Sequence, residues 1–384
     1  MPGNRVRRST AAIGALCGAL LAVTTTAHAQ TTADHPATSA ALRTFQSAAG
    51  PGAAVHAGDG AAAWTLSAGT GTINTNRPIR SDEHFRAGSQ TKTFTAATVL
   101  QLVDEGKVSL NEPIDTYLPG VVTGNGYDGT RITLRHLLQH TSGIAAYDPL
   151  ASIALAEPDG TYHPATLVRE GLKRAPVSAP GGGFRYSNTN YLILGMLIEK
   201  ITGLPVHQAV TTRIIEPLDL TRTTFPAPGD RALPAPAVNG YHGTRIGPFF
   251  FWSPVISYDP SLFGSSGAVI STLEDITSFY QALLAGRVVS PASLAEMQNT
   301  GQPGSPSAAI GYGLGIFKAD LSCGGTAWGH NGAVPGYHSQ TLVTPDGRHA
   351  SAATNAYLAT NPPQAQLAAL LDTALCEGRE GRQP

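Results

Sequence analysis

Strand-forming runs lie at the two ends of this chain and helical periodicity fills its middle, an order that few folds accommodate. Near the start, residues 52–57 and 61–68 read as strands joined by the turn signal Gly58-Asp59-Gly60, a hairpin suited to a sheet edge. A short strand over 84–87 leads into a helix that Gly106 ends. At the far end, 311–318, 326–330, 337–344 and 349–355 have strand character, the last two joined by Pro345-Asp346-Gly347. Between these ends, 132–140, 165–173, 189–202 and 205–215 read as helices separated by Pro- and Gly-rich loops. Tyr191 to Ile198 is apolar nearly all round, which predicts a buried helix. Residues 221–261 read as irregular loop, and helices over 39–48, 273–284, 291–298 and 364–376 complete the pattern. Strands at both ends around a helical middle predict one α/β domain assembled from 36–95 and 265–377. A helical domain with long loops, 96–264, is inserted, and 378–384 form a polar tail.

With 384 residues, 42% of them hydrophobic, the chain is long enough for a large core. Only 13% are charged and the formal net charge is −1, which gives no electrostatic surface for nucleic acid. Residues 1–29 read as a cleaved signal peptide: Arg5, Arg7 and Arg8, then an apolar run from Ala11 to Val23, then the small-x-small site Ala27-His28-Ala29. That run is short of the ~20 residues a membrane span needs. A secreted protein, cut near Ala29 and without a stable membrane anchor, is therefore expected. Cys17 falls in the signal, which leaves Cys323 and Cys376. An even count in an exported protein favours a disulfide, the alternative being two buried free thiols.

Chemistry enters at Ser89-Gln90-Thr91-Lys92, at the opening of the helix after the 84–87 strand. Residues three apart on a helix share a face, so the lysine amine reaches the serine hydroxyl and can activate it without a histidine. Burial beside another cationic group would lower the lysine pKa and make it a base. None of the other four lysines, 107, 173, 200 and 318, has a serine three positions before it. Tyr186-Ser187-Asn188 precedes the buried helix; a tyrosine there can relay protons, and the Asn188 amide can orient lysine or substrate. His330-Asn331-Gly332-Ala333 falls at a strand end, where the Ala333 N–H can pair with that of Ser89 as an oxyanion hole. His330, able to carry a positive charge, would tune Tyr186 and Lys92.

Taken together and in this order, these motifs resemble the serine β-lactamase and penicillin-binding protein superfamily, in particular the secreted D-alanyl-D-alanine carboxypeptidases of actinomycetes. The likeness extends through 85–92, 100–119, Leu-Leu-Gln-His-Thr-Ser-Gly at 137–143, 186–203, 267–271, 311–315 and 329–337. It implies an antiparallel sheet flanked by helices plus an all-helical domain, with the active site at their junction. It also implies Ser89 as the acylated nucleophile, Lys92 as its base, Tyr186 as the relay to the leaving group and His330 as an electrostatic partner. Asn188, Asn331, Gly332 and Ala333 would orient substrate or its oxyanion. Cys323 and Cys376 match the paired cysteines of the secreted subgroup.

The same resemblance exposes departures. Those carboxypeptidases usually carry hydroxyl residues where Asn331 and Ala333 stand, and some have an arginine where this chain has Phe317 beside Lys318. Such groups hold the substrate carboxylate through charge-assisted bonds of about 1.5–3 kcal/mol each. Neighbouring strand positions face opposite sides, so Lys318 replaces the arginine only if the register shifts. The expected function is a secreted, monomeric D-alanyl-D-alanine carboxypeptidase acting on cell-wall peptides, acylated by penicillins and other β-lactams. The alternatives are an esterase or D-amino-acid amidase of the same fold, or a non-catalytic binder of wall fragments or penicillin. The chain carries no Gly-x-Ser-x-Gly elbow, His-Glu-x-x-His zinc motif or phosphate loop, so neither metal nor cofactor is expected.

Overall fold

The strands from the two chain ends meet in one sheet. β1 (Gly52–Asp59) and β2 (Ala62–Gly69) come from near the start; β3 (Ile310–Tyr312), β4 (Phe317–Asp320), β5 (Thr326–Val334), β6 (Tyr337–Val343) and β7 (His349–Thr354) come from the end. Their order is β2-β1-β7-β6-β5-β4-β3, with every neighbour antiparallel. The first and last of these strands pair directly, Val55 opposite Ala352. The structure, a computed structural model, describes residues 1, 3, 34–60, 62–246, 249–255, 257–300, 310–358 and 363–379. Nearly all of the expected signal peptide and most of the 378–384 tail lie outside the described residues.

Helices cover both faces of the sheet, which explains why β7 is buried at every position and reads as an unbroken apolar and small-residue run. On one face, α1 (Pro36–Ala49) and α5 (Gln364–Cys376) set Leu42, Phe45, Leu367, Leu370 and Leu371 against Val55, Ala57, Leu342 and Ala352. On the other, α2 (Thr91–Asp104) and α4 (Leu273–Leu284) join a larger core in which Phe94 and Phe279 stack 3.7 Å apart. That core continues into the middle of the chain through α3 (Asn188–Thr202), whose Tyr191–Leu194, Leu197 and Ile198 are all buried. A helix apolar on every side has neighbours on every side.

Two expectations are corrected. Residues 311–318 are not one strand: β3 and β4 form a hairpin, with Tyr312 opposite Phe317 and Gly313 N–H donating to Ile316 O across the turn at 2.8 Å. Within the supposed loop 221–261, Tyr241–Ile246 and Phe249–Pro254 form an antiparallel hairpin, which Ala356–Tyr357 extends in parallel. Its Phe-Phe-Phe-Trp run has no polar alternation, so the period-2 signal of a strand is missing there.

Cys323, after β4, and Cys376, at the end of α5, are joined in a disulfide with Cα atoms 5.5 Å apart. With 53 residues separating the two, loop closure stabilises the fold by about 4 kcal/mol in the chain-entropy account. Replacing both cysteines by alanine is expected to lower the urea midpoint by that free energy with the m-value little changed. A loss under about 1 kcal/mol would contradict the loop-closure explanation.

Candidate active site

Ser89 stands in a 3-10 turn, Gly88–Gln90, that runs directly into α2. The turn is anchored from below by a two-residue strand, Phe85–Arg86, paired with Ile270–Ser271. Lys92, in the first turn of α2, is fully buried. Its Nζ lies 3.1 Å from Ser89 Oγ, 2.8 Å from Asn188 Oδ1 and 2.7 Å from the carbonyl oxygen of Ser266. Burial pushes its pKa well below the usual lysine range. No neighbouring cation is needed, contrary to the sequence expectation. Nζ donates to Asn188 Oδ1 and to Ser266 O, which fixes it with its third contact on the Ser89 hydroxyl.

Asn188 is the first residue of α3, and Tyr186 stands two positions before it. The Tyr186 ring centroid is 4.8 Å from Lys92 Nζ. Burial of the phenol raises its pKa, and the hydrogen bond to Ser89 draws it partway back. Because 38% of the residue remains exposed, solvent moderates that upward push; either way the phenol keeps its proton at neutral pH.

His330 lies in β5, fully buried. Its Nδ1 is 2.6 Å from Asn331 O and its Nε2 is 3.2 Å from the Tyr312 hydroxyl. Burial, the largest cause, lowers its pKa to about 3. That direction favours a neutral imidazole at His330. His330 is packed between Tyr312 and Phe317, with ring centroids 5.7 and 4.8 Å away, and burial there disfavours a charge.

Further along β5, Gly332 faces the Ala87 carbonyl, which a Cβ at this position would approach to 1.8 Å. Gly332 thus lets the strand lie against the Ser89 turn. The same approach sets the Ala333 amide nitrogen beside Gly88. Asn331 and Ala333 point into a cavity of about 830 Å³ together with Ser89, Tyr186 and Asn188. Opposite them in the ladder, Gln340 and His338 share that wall. Phe184 and Phe317 supply an apolar side. Lys318 Nζ pairs with Asp320 Oδ1 at 3.0 Å. Burial lowers the His338 pKa to about 4, so it is neutral.

Sequence reasoning missed three groups. The Ser266 carbonyl holds Lys92 through the main chain, which leaves no mark in residue type. His338 and Gln340 become visible only once β6 is paired with β5, since register decides which side chains share a face.

A family model described as Beta-lactamase matches residues 38–374. Penicillin-binding protein 4 of Amycolatopsis lactamdurans is 32% identical over 78% of this chain and 78% of its own length. PbpX of Bacillus subtilis (strain 168) is 31% identical over 68% of this chain, which spans 59% of that relative. A solved structure titled D-stereospecific amidohydrolase from Streptomyces sp. superposes with a TM-score of 0.76 at 41% identity, covering 84% of this chain and 94% of that one. The chain belongs to the Beta-lactamase family and is a serine hydrolase of the β-lactamase and penicillin-binding protein superfamily.

Proposed function

We propose that this protein is a D-stereospecific amidohydrolase that forms an acyl-enzyme on Ser89 and cleaves amides or esters of D-amino acids with apolar side chains and no free C-terminal carboxylate. The observation that carries the reading is the charge of the pocket wall. Beyond Ser89, the wall offers Phe317, Asn331, Ala333, His338 and Gln340, all uncharged; its one lysine is already paired with Asp320, and its other charged group, Asp372, is a carboxylate. A free C-terminal carboxylate has no cation to meet among the described lining residues. The 41% identity to the Streptomyces amidohydrolase supports the same substrate class.

In this reading Lys92 Nζ takes the Ser89 proton as Oγ attacks the carbonyl carbon. The N–H groups of Ser89 and Ala333 hold the oxyanion. Tyr186 gives its proton to the departing amine or alcohol and recovers one from Lys92, which returns to the neutral amine. Water then hydrolyses the ester on Ser89 through the same groups in reverse. β-Lactams are expected to acylate the same serine. Secretion is part of the proposal, supported by the 1–29 pattern and by the Cys323–Cys376 disulfide.

The test compares kcat/KM for D-phenylalanine p-nitroanilide, its L enantiomer and diacetyl-L-Lys-D-Ala-D-Ala. Each charge-assisted carboxylate bond that cannot form costs about 1.5–3 kcal/mol, so the D-anilide should exceed the peptide by at least about tenfold. The L-anilide should be the poorest of the three. A preference for the peptide would return the protein to the carboxypeptidases.

A further inference from the structure

His140 belongs to the Leu-Leu-Gln-His-Thr-Ser-Gly stretch, which the reaction described above does not use. It is fully buried, and its backbone lies in the left-handed region at φ 59°. The His140 carbonyl accepts from Arg185 N–H at 2.7 Å, and its Nδ1 accepts from Ser187 N–H at 3.1 Å. The residues on either side of Tyr186 are thus both tied to this one histidine. Its ring also packs on the Tyr186 ring, with centroids 4.3 Å apart.

The surrounding bonds settle which nitrogen carries the proton. Ser142 Oγ accepts from Ile144 N–H at 3.0 Å and donates to Asn190 Oδ1 at 2.7 Å. The Asn190 amide therefore turns its Nδ2 toward His140 Nδ1, 3.2 Å away. Nδ1 receives two donors, so the proton sits on Nε2, which is buried without a hydrogen-bond partner. A charged imidazolium would need a proton on Nδ1 and would break both bonds; burial also holds the His140 pKa well below its ordinary value.

The rest of the stretch extends the same clamp. Gly181 N–H donates to Thr141 O at 2.8 Å and Val177 N–H to Gly143 O at 2.9 Å, so 140–143 is laced along the loop that carries Tyr186. At Gly143 the φ is 77° and a Cβ would stand 2.0 Å from Ser178 O, so only glycine keeps the two segments this close.

We propose that His140 is a positioning residue for the reaction: it holds Tyr186 against Ser89 and Lys92 by fixing the backbone on both sides of the tyrosine and the face of its ring. The proposal rests on Tyr186 being the proton relay. A displacement of about 1 Å in a relay costs on the order of 100-fold in rate while leaving substrate binding largely intact.

The experiment is a double-mutant cycle of His140→Phe and Tyr186→Phe, read as kcat and KM on the D-anilide with melting temperatures alongside. His140→Phe keeps a ring but removes the acceptor. It should lower kcat by about 100-fold with KM within about threefold. His140→Asn restores an acceptor near the Nδ1 position and tolerates a left-handed φ, so it should recover at least about tenfold of that loss. In the Tyr186→Phe background, His140→Phe should add little. An equal loss in both backgrounds, or a His140→Phe rate within threefold of wild type, overturns the proposal. If Tyr186→Phe alone leaves kcat unchanged, the relay reading itself fails, whatever His140 does. Where His140→Phe does not fold, His140→Gln carries the same cycle, since its acceptor lies one methylene too far.

Discussion

Ser89→Ala should abolish turnover of the D-anilide, lowering kcat by roughly 10⁴- to 10⁶-fold, the range seen when a catalytic serine is removed. The loss should come without unfolding. Ser89 is half-buried in its turn, and Lys92 keeps two of its three partners, Asn188 Oδ1 and Ser266 O, when Oγ is gone. Substrate binding should persist, because Phe184, Phe317, Asn331 and Gln340 are untouched. A variant that turns over within tenfold of wild type would mean that the attacking atom lies elsewhere in the cavity.

Lys92→Arg should be nearly as damaging, costing about 10³- to 10⁴-fold in kcat, with no recovery at any pH. The guanidinium keeps its proton throughout the accessible range, so it cannot accept one from Ser89. The wild-type lysine can, because burial lowers its pKa. The sign follows from that direction: the active form is the neutral amine, so the wild-type rate rises as pH climbs through the lowered pKa. It should reach its plateau well below the ordinary lysine range near 10.4. A pH–rate profile whose rising limb is centred near pH 10 would show that Lys92 is charged at rest and that another group serves as the base. The arginine variant is expected to melt lower as well, since it places a permanent charge at a buried position whose hydrogen-bond partners, Ser89, Asn188 and Ser266, are neutral oxygens.

Sequence periodicity and spacing reach some parts of this account and not others. The sheet built from both chain ends follows from where strand-like runs lie, and β1 does pair with β7. The pairing of Ser89 with Lys92 follows from their spacing on one helix face, and the arrival of Tyr186 and Asn188 beside them is what the family resemblance implies. What the sequence does not carry is mostly environment. The neutrality of His330 depends on Tyr312 and Phe317 closing over it, and the low pKa of Lys92 depends on burial, not on the cation anticipated beside it. Ser266 contributes a carbonyl, which any residue possesses. His140 acts partly through its own carbonyl and partly through a ring whose partners are 45 to 50 positions away, so no local pattern points to it. The β3–β4 hairpin decides that Phe317 flanks the pocket while Lys318 turns to Asp320, a distinction that one unbroken strand over 311–318 would have left open.

The central claim is an acyl-enzyme on Ser89, and intact-mass spectrometry tests it most directly. Wild-type protein mixed with a D-phenylalanine ester, or with a penicillin, and quenched in acid should gain the mass of one acyl group. Trypsin cuts after Arg86 and Lys92, so the adduct should map to Ala87-Gly88-Ser89-Gln90-Thr91-Lys92 and be absent from Ser89→Ala. Continued turnover with no adduct, or an adduct on any other peptide, would contradict the account.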